Sequence, residues 1–189
     1  QYLGGTDGDG NYRFYKAISD AVDLPIIIYN VVPQNEITPD MAYRLLDIEN
    51  VIGIKQSCGG IHGFMAMKAK CGNKGLMYAA TDELMYTTFE LGADGAIAAI
   101  LGLFPDLFVK MWNLKEEGKS EEALKIQEMI YPVWMKIIGA QFPRRMKAAL
   151  ECIGRGYGES LSPLNRATEE EYEQIKTALQ PYFEFVNSL

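Results

Sequence analysis

The chain has 189 residues, 48% of them hydrophobic, so it can form one or two domains with a substantial core. Its net charge of −7 includes no basic block, which argues against a nucleic-acid partner, and the apolar stretch at 95–104 is too short to span a membrane. The three cysteines lack metal-type spacing and do not suggest a disulfide framework, so we expect a cytoplasmic protein without a metal site.

Up to residue 118, strand-like and helix-like segments alternate along the sequence. After a first helix at 11–22, every strand is followed by a helix of about 10 to 15 residues, which is the pattern of a parallel sheet. The predicted strands are LPIIIYN (24–30), VIGIKQS (51–57), KGLMYAA (74–80) and DGAIAAI (94–100), and the helices after them lie at 38–48, 60–72, 81–92 and 104–118.

Beyond residue 118 the sequence predicts helices without intervening strands, at 120–139, 142–154 and 168–188. We therefore divide the chain into an α/β part, residues 1–118, and a C-terminal three-helix extension, residues 119–189. Four parallel strands fit half of a (β/α)8 barrel, and they also fit a small doubly wound sheet. Composition and periodicity do not separate these two folds.

Tyr29 and Lys55 are polar side chains near the ends of the first two strands. Lys55 is in phase with Gly53, which leaves room for a long side chain and a ligand, whereas Ile52 and Ile54 share the other face and suit packing against helices. Consecutive strands of such a sheet are usually neighbours. We therefore expect Tyr29 and Lys55 to converge at the carboxyl edge, where α/β proteins build their sites.

A lysine in that position can carry covalent chemistry. An apolar interior disfavours the charged amine, and a neutral amine attacks ketones to form a Schiff base. A neighbouring phenol can move the protons that this reaction requires. The spacing also allows a simpler interpretation, in which the lysine extends from the strand end into solvent.

Three motifs together resemble a known family. IIIYNVVP (26–33), NVIGIKQS (50–57) and LGADGAIAAI (91–100) occur in the order found in the pyruvate-dependent aldolases and lyases that include dihydrodipicolinate synthase and N-acetylneuraminate lyase. The C-terminal RRMKAALECIG (144–154) also resembles the helical extension of that family, so the resemblance covers essentially the whole chain.

The resemblance implies a (β/α)8 TIM barrel, of which this chain carries the second half, in a homotetramer. It implies that Lys55 is the Schiff-base lysine, that Tyr29 relays protons and that Ile97 lies near bound pyruvate. Tyr2 lies near the position of the second relay tyrosine of the family, although an ungapped match puts Leu3 there. No cofactor is expected, because the lysine imine is itself the electron sink.

Two departures from the family pattern qualify this assignment. The Gly-Thr-Thr-Gly-Glu loop that holds the pyruvate carboxylate is not in the sequence, so the missing half must come from outside these residues. Dihydrodipicolinate synthases also carry an arginine shortly after Tyr-Asn-x-Pro, whereas residues 33–36 here read Pro-Gln-Asn-Glu, which puts aspartate semialdehyde in question.

The sequence therefore predicts a Schiff-base lyase or aldolase. Such an enzyme condenses pyruvate with an aldehyde, or cleaves a 2-oxo acid to release pyruvate. The alternative is a non-catalytic relative or an inactive fragment with a structural or regulatory role.

Overall fold

The computed structural model describes residues 6–187, so Tyr2 and Leu3 lie outside the described residues. The chain forms two compact units, with the division between Ala98 and Ala99. The first unit contains the sheet, and the second contains the C-terminal helices. The boundary after residue 118 comes from counting strand–helix pairs along the sequence, and it stays a prediction.

Helices and strands alternate in the first unit, as the sequence predicts. The elements are α1 (Gly8–Ala21), β1 (Ile26–Asn30), α2 (Pro39–Leu45), β2 (Val51–Gln56), α3 (Gly60–Cys71), β3 (Leu76–Ala79), α4 (Met85–Glu90) and β4 (Gly95–Ala96). The second unit contains α5 (Pro105–Glu116), α6 (Ser120–Ile137), α7 (Phe142–Cys152), α8 (Glu169–Ala178) and α9 (Gln180–Asn187). No helix within residues 6–187 is both long enough and apolar enough to cross a membrane.

The four strands are parallel and lie side by side in chain order, β1-β2-β3-β4. A doubly wound sheet reverses its strand order at a switch point, whereas a (β/α)8 barrel adds each strand beside the previous one. The observed order contains no reversal. It therefore favours the barrel segment over the doubly wound alternative.

Local sequence signals explain where two of the helices begin. The Thr38 hydroxyl accepts a hydrogen bond from the Met41 N–H at 3.3 Å, and Pro39 occupies the first helical position of α2. The Asp7 carboxylate accepts from the Gly10 N–H at 2.7 Å, so α1 begins earlier than the apolar periodicity indicates.

A register shift interrupts the pairing of β1 with β2. Ile26 pairs with Val51, but the next residue, Ile27, pairs with Gly53, so that Ile52 is left without a partner in the ladder. Ile52 is 38% exposed. The expectation that it packs against helices together with Ile54 is therefore wrong, because the bulge breaks the two-residue alternation at this point.

The fourth strand and the last helix also differ from their predictions. The strand expected at 94–100 is confined to Gly95–Ala96, because β3, its partner, ends at Ala79. The helix expected at 168–188 is divided into α8 and α9 at Leu179. Pro181 lacks the N–H that a continuous helix would use, which accounts for the break.

The two faces of the sheet have different environments. Ile28, Ile54 and Met77 are fully buried on the face that the helices cover. On the opposite face Ile27 and Leu76 are 37% and 38% exposed. Such apolar side chains belong in an interior, so the open face indicates a surface that a barrel would close over.

The carboxyl ends of β1 and β2 are joined by buried amides. The Asn30 side chain donates to the Ile37 carbonyl and to Oε1 of Gln56, each at 2.9 Å, and accepts from the Ile37 N–H at 2.9 Å. Gln56 in turn donates to the Cys58 carbonyl at 2.8 Å. Asn30 and Gln56 are 1% and 2% exposed. These bonds fix both loops that leave the edge.

In the second unit, Glu171 joins α7 to α8. Its carboxylate accepts from Arg144 at 2.9 Å and from Arg145 at 2.8 Å, and also from the Thr168 N–H at 2.9 Å in a capping box. Burial alone would raise the pKa of Glu171, but these hydrogen bonds outweigh it and hold the pKa at about 2. The carboxylate therefore stays charged at neutral pH and keeps the two helices together.

We predict that Asn30→Ala lowers the free energy of unfolding by roughly 2–3 kcal/mol, because it leaves buried groups of Ile37 and Gln56 without partners. Urea denaturation followed by circular dichroism measures the change. The control is Asn73→Ala, at an exposed turn of the same unit, for which we expect a change within about 0.5 kcal/mol. Equal effects of the two substitutions would contradict a special role for Asn30.

Candidate active site

One row of residues crosses the sheet near its carboxyl edge. Tyr29 pairs with Lys55, Lys55 with Tyr78, and Tyr78 with Gly95. Paired residues of parallel strands present their side chains on the same face. The row therefore places two tyrosines on either side of one lysine, on the open face of the sheet.

The bulge in β2 produces this alignment. If the pairing of Ile26 with Val51 continued without a shift, Tyr29 would lie opposite Ile54. The one-residue shift instead puts Tyr29 opposite Lys55. The predicted convergence of these two side chains is present in the structure, although its backbone cause was not visible in the sequence.

Lys55 contacts Tyr29 directly. Its Nζ lies 3.8 Å from the centroid of the Tyr29 ring, over the ring face, in a cation–π arrangement. Tyr29 is 53% exposed and Lys55 is partly exposed. The first unit alone therefore does not enclose the amine in the apolar surroundings that the sequence led us to expect.

Gly53 has a different role from the expected one. A Cβ at this position would lie 2.6 Å from the Leu76 carbonyl oxygen and 2.9 Å from the Leu76 Cβ. Glycine is thus required because β3 approaches closely, and it does not leave room for a ligand. The structure corrects the sequence-based interpretation at this residue.

Ile97, the aliphatic residue expected near pyruvate, follows β4 directly. Its N–H donates to the Ala79 carbonyl at 2.9 Å, and its side chain is 40% exposed. The start of β4 is fixed by Asp94, whose carboxylate accepts from the Met77 N–H at 2.8 Å and from Lys68 at 3.2 Å. The backbone around Ile97 is therefore tied to β3 on both sides of the short strand.

The loop after β1 is partly committed to structure. Asn35 and Asn11 exchange side-chain hydrogen bonds at 3.2 and 3.3 Å, and the side-chain Oδ1 of Asn35 also accepts from the Thr6 N–H. Its amide is thus engaged within the fold. Gln34 and Glu36 are exposed.

Cys58 lies beside the edge but has the wrong properties for a nucleophile. Burial, and secondarily the carboxylate of Glu36, raise the pKa of its thiol above the ordinary value. A protonated thiol is a weak nucleophile, so Cys58 is a poor candidate for the nucleophile at this edge. Within residues 6–187 no group of three or more histidine, cysteine, aspartate or glutamate side chains is placed to hold a metal ion.

The sequence reasoning missed three residues of this site: Tyr78, Asn30 and Gln56. The alternation in LMYA, with Met77 and Ala79 fully buried, would have placed Tyr78 on the face of Lys55. Asn30 and Gln56 each follow a site residue directly, but nothing in the sequence indicates that their side chains bond to each other.

Comparisons with known proteins identify the family of the chain. The sequence model of the Dihydrodipicolinate synthetase family matches residues 2–182. A curated relative, the 4-hydroxy-tetrahydrodipicolinate synthase of Clostridium novyi (strain NT), is 31% identical over 183 residues, which are 96% of this chain and 62% of that protein.

Two solved structures share the fold. The chloride-inhibited dihydrodipicolinate synthase of Acinetobacter baumannii, complexed with pyruvate, matches with a TM-score of 0.83 at 28% identity, over 93% of this chain and 61% of that one. YagE from E. coli K12, a prophage protein of the dihydrodipicolinic acid synthase family in complex with pyruvate, matches with a TM-score of 0.86 at 24% identity, over 95% of this chain and 63% of that one.

The chain belongs to the dihydrodipicolinate synthetase family, as the three motifs indicated. Its parallel strands and their helices are part of a (β/α)8 barrel, followed by C-terminal helices. The chain spans 62% of the length of the Clostridium novyi relative.

Proposed function

We propose that Lys55 forms a Schiff base with pyruvate in the complete protein, and that the protein is a lyase or aldolase of its family. The observation that carries this proposal is the contact of Lys55 with Tyr29 at the carboxyl edge of the sheet. The pyruvate complexes of two relatives in fold support the choice of oxo acid.

The proposed reaction begins when the neutral amine of Lys55 attacks C2 of pyruvate. The resulting carbinolamine loses water to give an imine, which draws electron density away from C3. Loss of a C3 proton gives an enamine, whose C3 attacks the carbonyl carbon of an aldehyde. Hydrolysis of the new imine then releases the product and restores the amine. In the reverse direction, a 2-oxo acid is cleaved and pyruvate is released.

Tyr29 is the proposed proton carrier. Because Nζ lies 3.8 Å from the centroid of the Tyr29 ring, the hydroxyl group carried by that ring is close to the amine. There it can donate a proton to the departing hydroxyl of the carbinolamine and take one back during hydrolysis. Ile97 and, in the complete protein, Tyr2 are proposed to contact the substrate.

The open face must be covered for this chemistry to work. Ile27, Leu76 and Tyr29 are too exposed here to exclude water from an imine. We propose that the remaining strands of the barrel, from outside the present sequence, complete the enclosure. Following the family resemblance, we also propose a cytoplasmic homotetramer, whose size sedimentation analysis of the complete protein would measure.

Borohydride reduction in the presence of pyruvate tests the nucleophile. We predict an irreversible mass increase at Lys55 in the complete protein, located by peptide mapping, and its loss in Lys55→Arg. The chain offers a matched control in Lys74, whose Nζ lies 3.7 Å over the ring of Tyr43, because Lys74 precedes β3 and lies at the other end of the sheet. Lys74→Arg should label normally. An adduct elsewhere, or none, would exclude the mechanism and favour a non-catalytic relative.

Tyr29→Phe tests the proton carrier. Removing one hydroxyl should lower kcat by roughly 10²–10⁴-fold while the ring that contacts Lys55 remains. Steady-state kinetics measure the loss, and circular dichroism checks that the fold is kept. Tyr43→Phe, in the matching lysine–tyrosine pair, should leave kcat unchanged. Unaltered turnover in Tyr29→Phe would remove the hydroxyl from the mechanism.

The aldehyde partner is the finer part of the proposal. The loop from Val31 to Glu36 contains no arginine, and Glu36 is exposed, so a carboxylate-bearing aldehyde finds no bidentate partner in this segment. Asn35 is held by Asn11, whereas the exposed side chains of Gln34 and Glu36 can form hydrogen bonds with a hydroxyl group.

We predict that a neutral or hydroxylated aldehyde is preferred over aspartate semialdehyde. Comparing kcat/KM for the two classes with the complete protein decides the point. A clear preference for aspartate semialdehyde would restore the activity named for the Clostridium novyi relative, and it would mean that an arginine from outside this loop binds the carboxylate.

A further inference from the structure

Of the three side chains in the row, Tyr78 is the one to which neither the sequence nor the family resemblance assigned a role. It pairs with Lys55 on one side and with Gly95 on the other. Its neighbours Met77 and Ala79 are fully buried on the helix-covered face, whereas Tyr78 itself is partly exposed on the open face. Tyr78 therefore shares the face of Lys55, on the side away from Tyr29.

The ring of Tyr78 is seated on Gly95. A Cβ at Gly95 would lie 3.1 Å from Cε1 and 3.2 Å from Cδ1 of the ring, which is closer than ordinary van der Waals contact. Because Gly95 has no side chain, the Tyr78 ring can pack directly against the backbone of β4. Any larger residue there would push the ring by a few tenths of an ångström.

The rings of the two tyrosines therefore lie in different positions relative to Lys55. The Tyr29 ring lies under the amine of Lys55, as the 3.8 Å distance shows. The Tyr78 ring leans towards β4 instead, the strand that Ile97 follows. The row therefore has Tyr29 on the β1 side of Lys55 and the Tyr78 ring on the side of Lys55 towards β4.

We propose that Tyr78, whose ring packs against Gly95, is a specificity-determining residue. Its ring limits the size of the 2-oxo acid that can form an imine with Lys55. The inference rests on the proposed Schiff-base function and deepens it. The limit is steric, so it belongs to the ring and not to the hydroxyl. It distinguishes the methyl group of pyruvate from the longer chain of 2-oxobutanoate.

Competitive trapping tests the inference. The complete protein is incubated with equal concentrations of pyruvate and 2-oxobutanoate, reduced with borohydride, and the two Lys55 adducts are quantified by mass spectrometry. A single methylene in a fitted pocket is discriminated by about tenfold or more. We expect Tyr78→Ala to raise the ratio of 2-oxobutanoate to pyruvate adduct by about tenfold, and Tyr78→Phe to leave the ratio unchanged. Tyr43→Ala, on α2 beside Lys74, is the control and should also leave the ratio unchanged.

A second substitution tests the seat. Gly95→Ala should lower labelling by both oxo acids severalfold, because the displaced ring moves into the substrate space. The same substitution in a Tyr78→Ala background should have little further effect, since the ring is gone. If Tyr78→Ala does not fold by circular dichroism, Tyr78→Leu provides the same readout with a smaller change.

The outcomes separate the two proposals. Normal labelling of Lys55 with an unchanged adduct ratio in Tyr78→Ala or Tyr78→Leu overturns the role of Tyr78 and leaves the proposed function intact. Absence of any Lys55 adduct in the unsubstituted protein overturns the proposed function itself. A changed ratio in Tyr78→Phe would assign discrimination to the hydroxyl and contradict the steric argument.

Discussion

The buried hydrogen bond between Asn30 and Gln56 is the interaction on which the candidate site depends. It joins the last residues of β1 and β2, immediately after Tyr29 and Lys55. The backbone carbonyl of Asn30 also accepts hydrogen bonds from the N–H groups of Ser57 and Cys58, at 3.0 and 3.2 Å. If Asn30 or Gln56 lost these partners, its amide would stay buried without a hydrogen bond. The arrangement with this pair is therefore strongly favoured over arrangements that separate the two amides. The two site residues inherit their fixed separation from it.

The same bonds explain why an open sheet edge can hold a precise arrangement. Loops normally carry mobile side chains, but the loop after β1 is tied to Asn30 through both backbone groups of Ile37. The turn after β2 is tied through Gln56 to Cys58. Gly63 contributes to this packing, because a Cβ there would lie 2.2 Å from the Cys58 carbonyl oxygen. The site thus rests on rigid strands and on loops anchored by buried amides, as a preorganised site requires.

Much of the fold could be predicted from the sequence, and the reasons are local. Thr38 and Pro39 mark the start of α2, and apolar runs such as IIIYN mark strands that are covered on one face. The pairing of Tyr29 with Lys55 was also expected from their positions near strand ends. Three features could not be predicted, because each depends on two segments far apart in sequence. They are the bulge at Ile52, the packing of Tyr78 on Gly95 and the hydrogen bond between Asn30 and Gln56. The break at Pro181 was visible in the sequence and was outweighed by the long helical periodicity.

The bulge at Ile52 also has a consequence for how the sequence can change. Val51 lies before the bulge. From Gly53 onward, the residues of β2 pair in regular register with β1, starting at Ile27. Insertions or deletions before the bulge alter only the approach to the sheet, since a further shift can be absorbed there. The same change after Gly53 would carry Lys55 to the helix-covered face and Ile54 to the open one. We therefore expect insertions and deletions to be tolerated before the bulge at Ile52 and not after it, where β2 carries the candidate catalytic lysine.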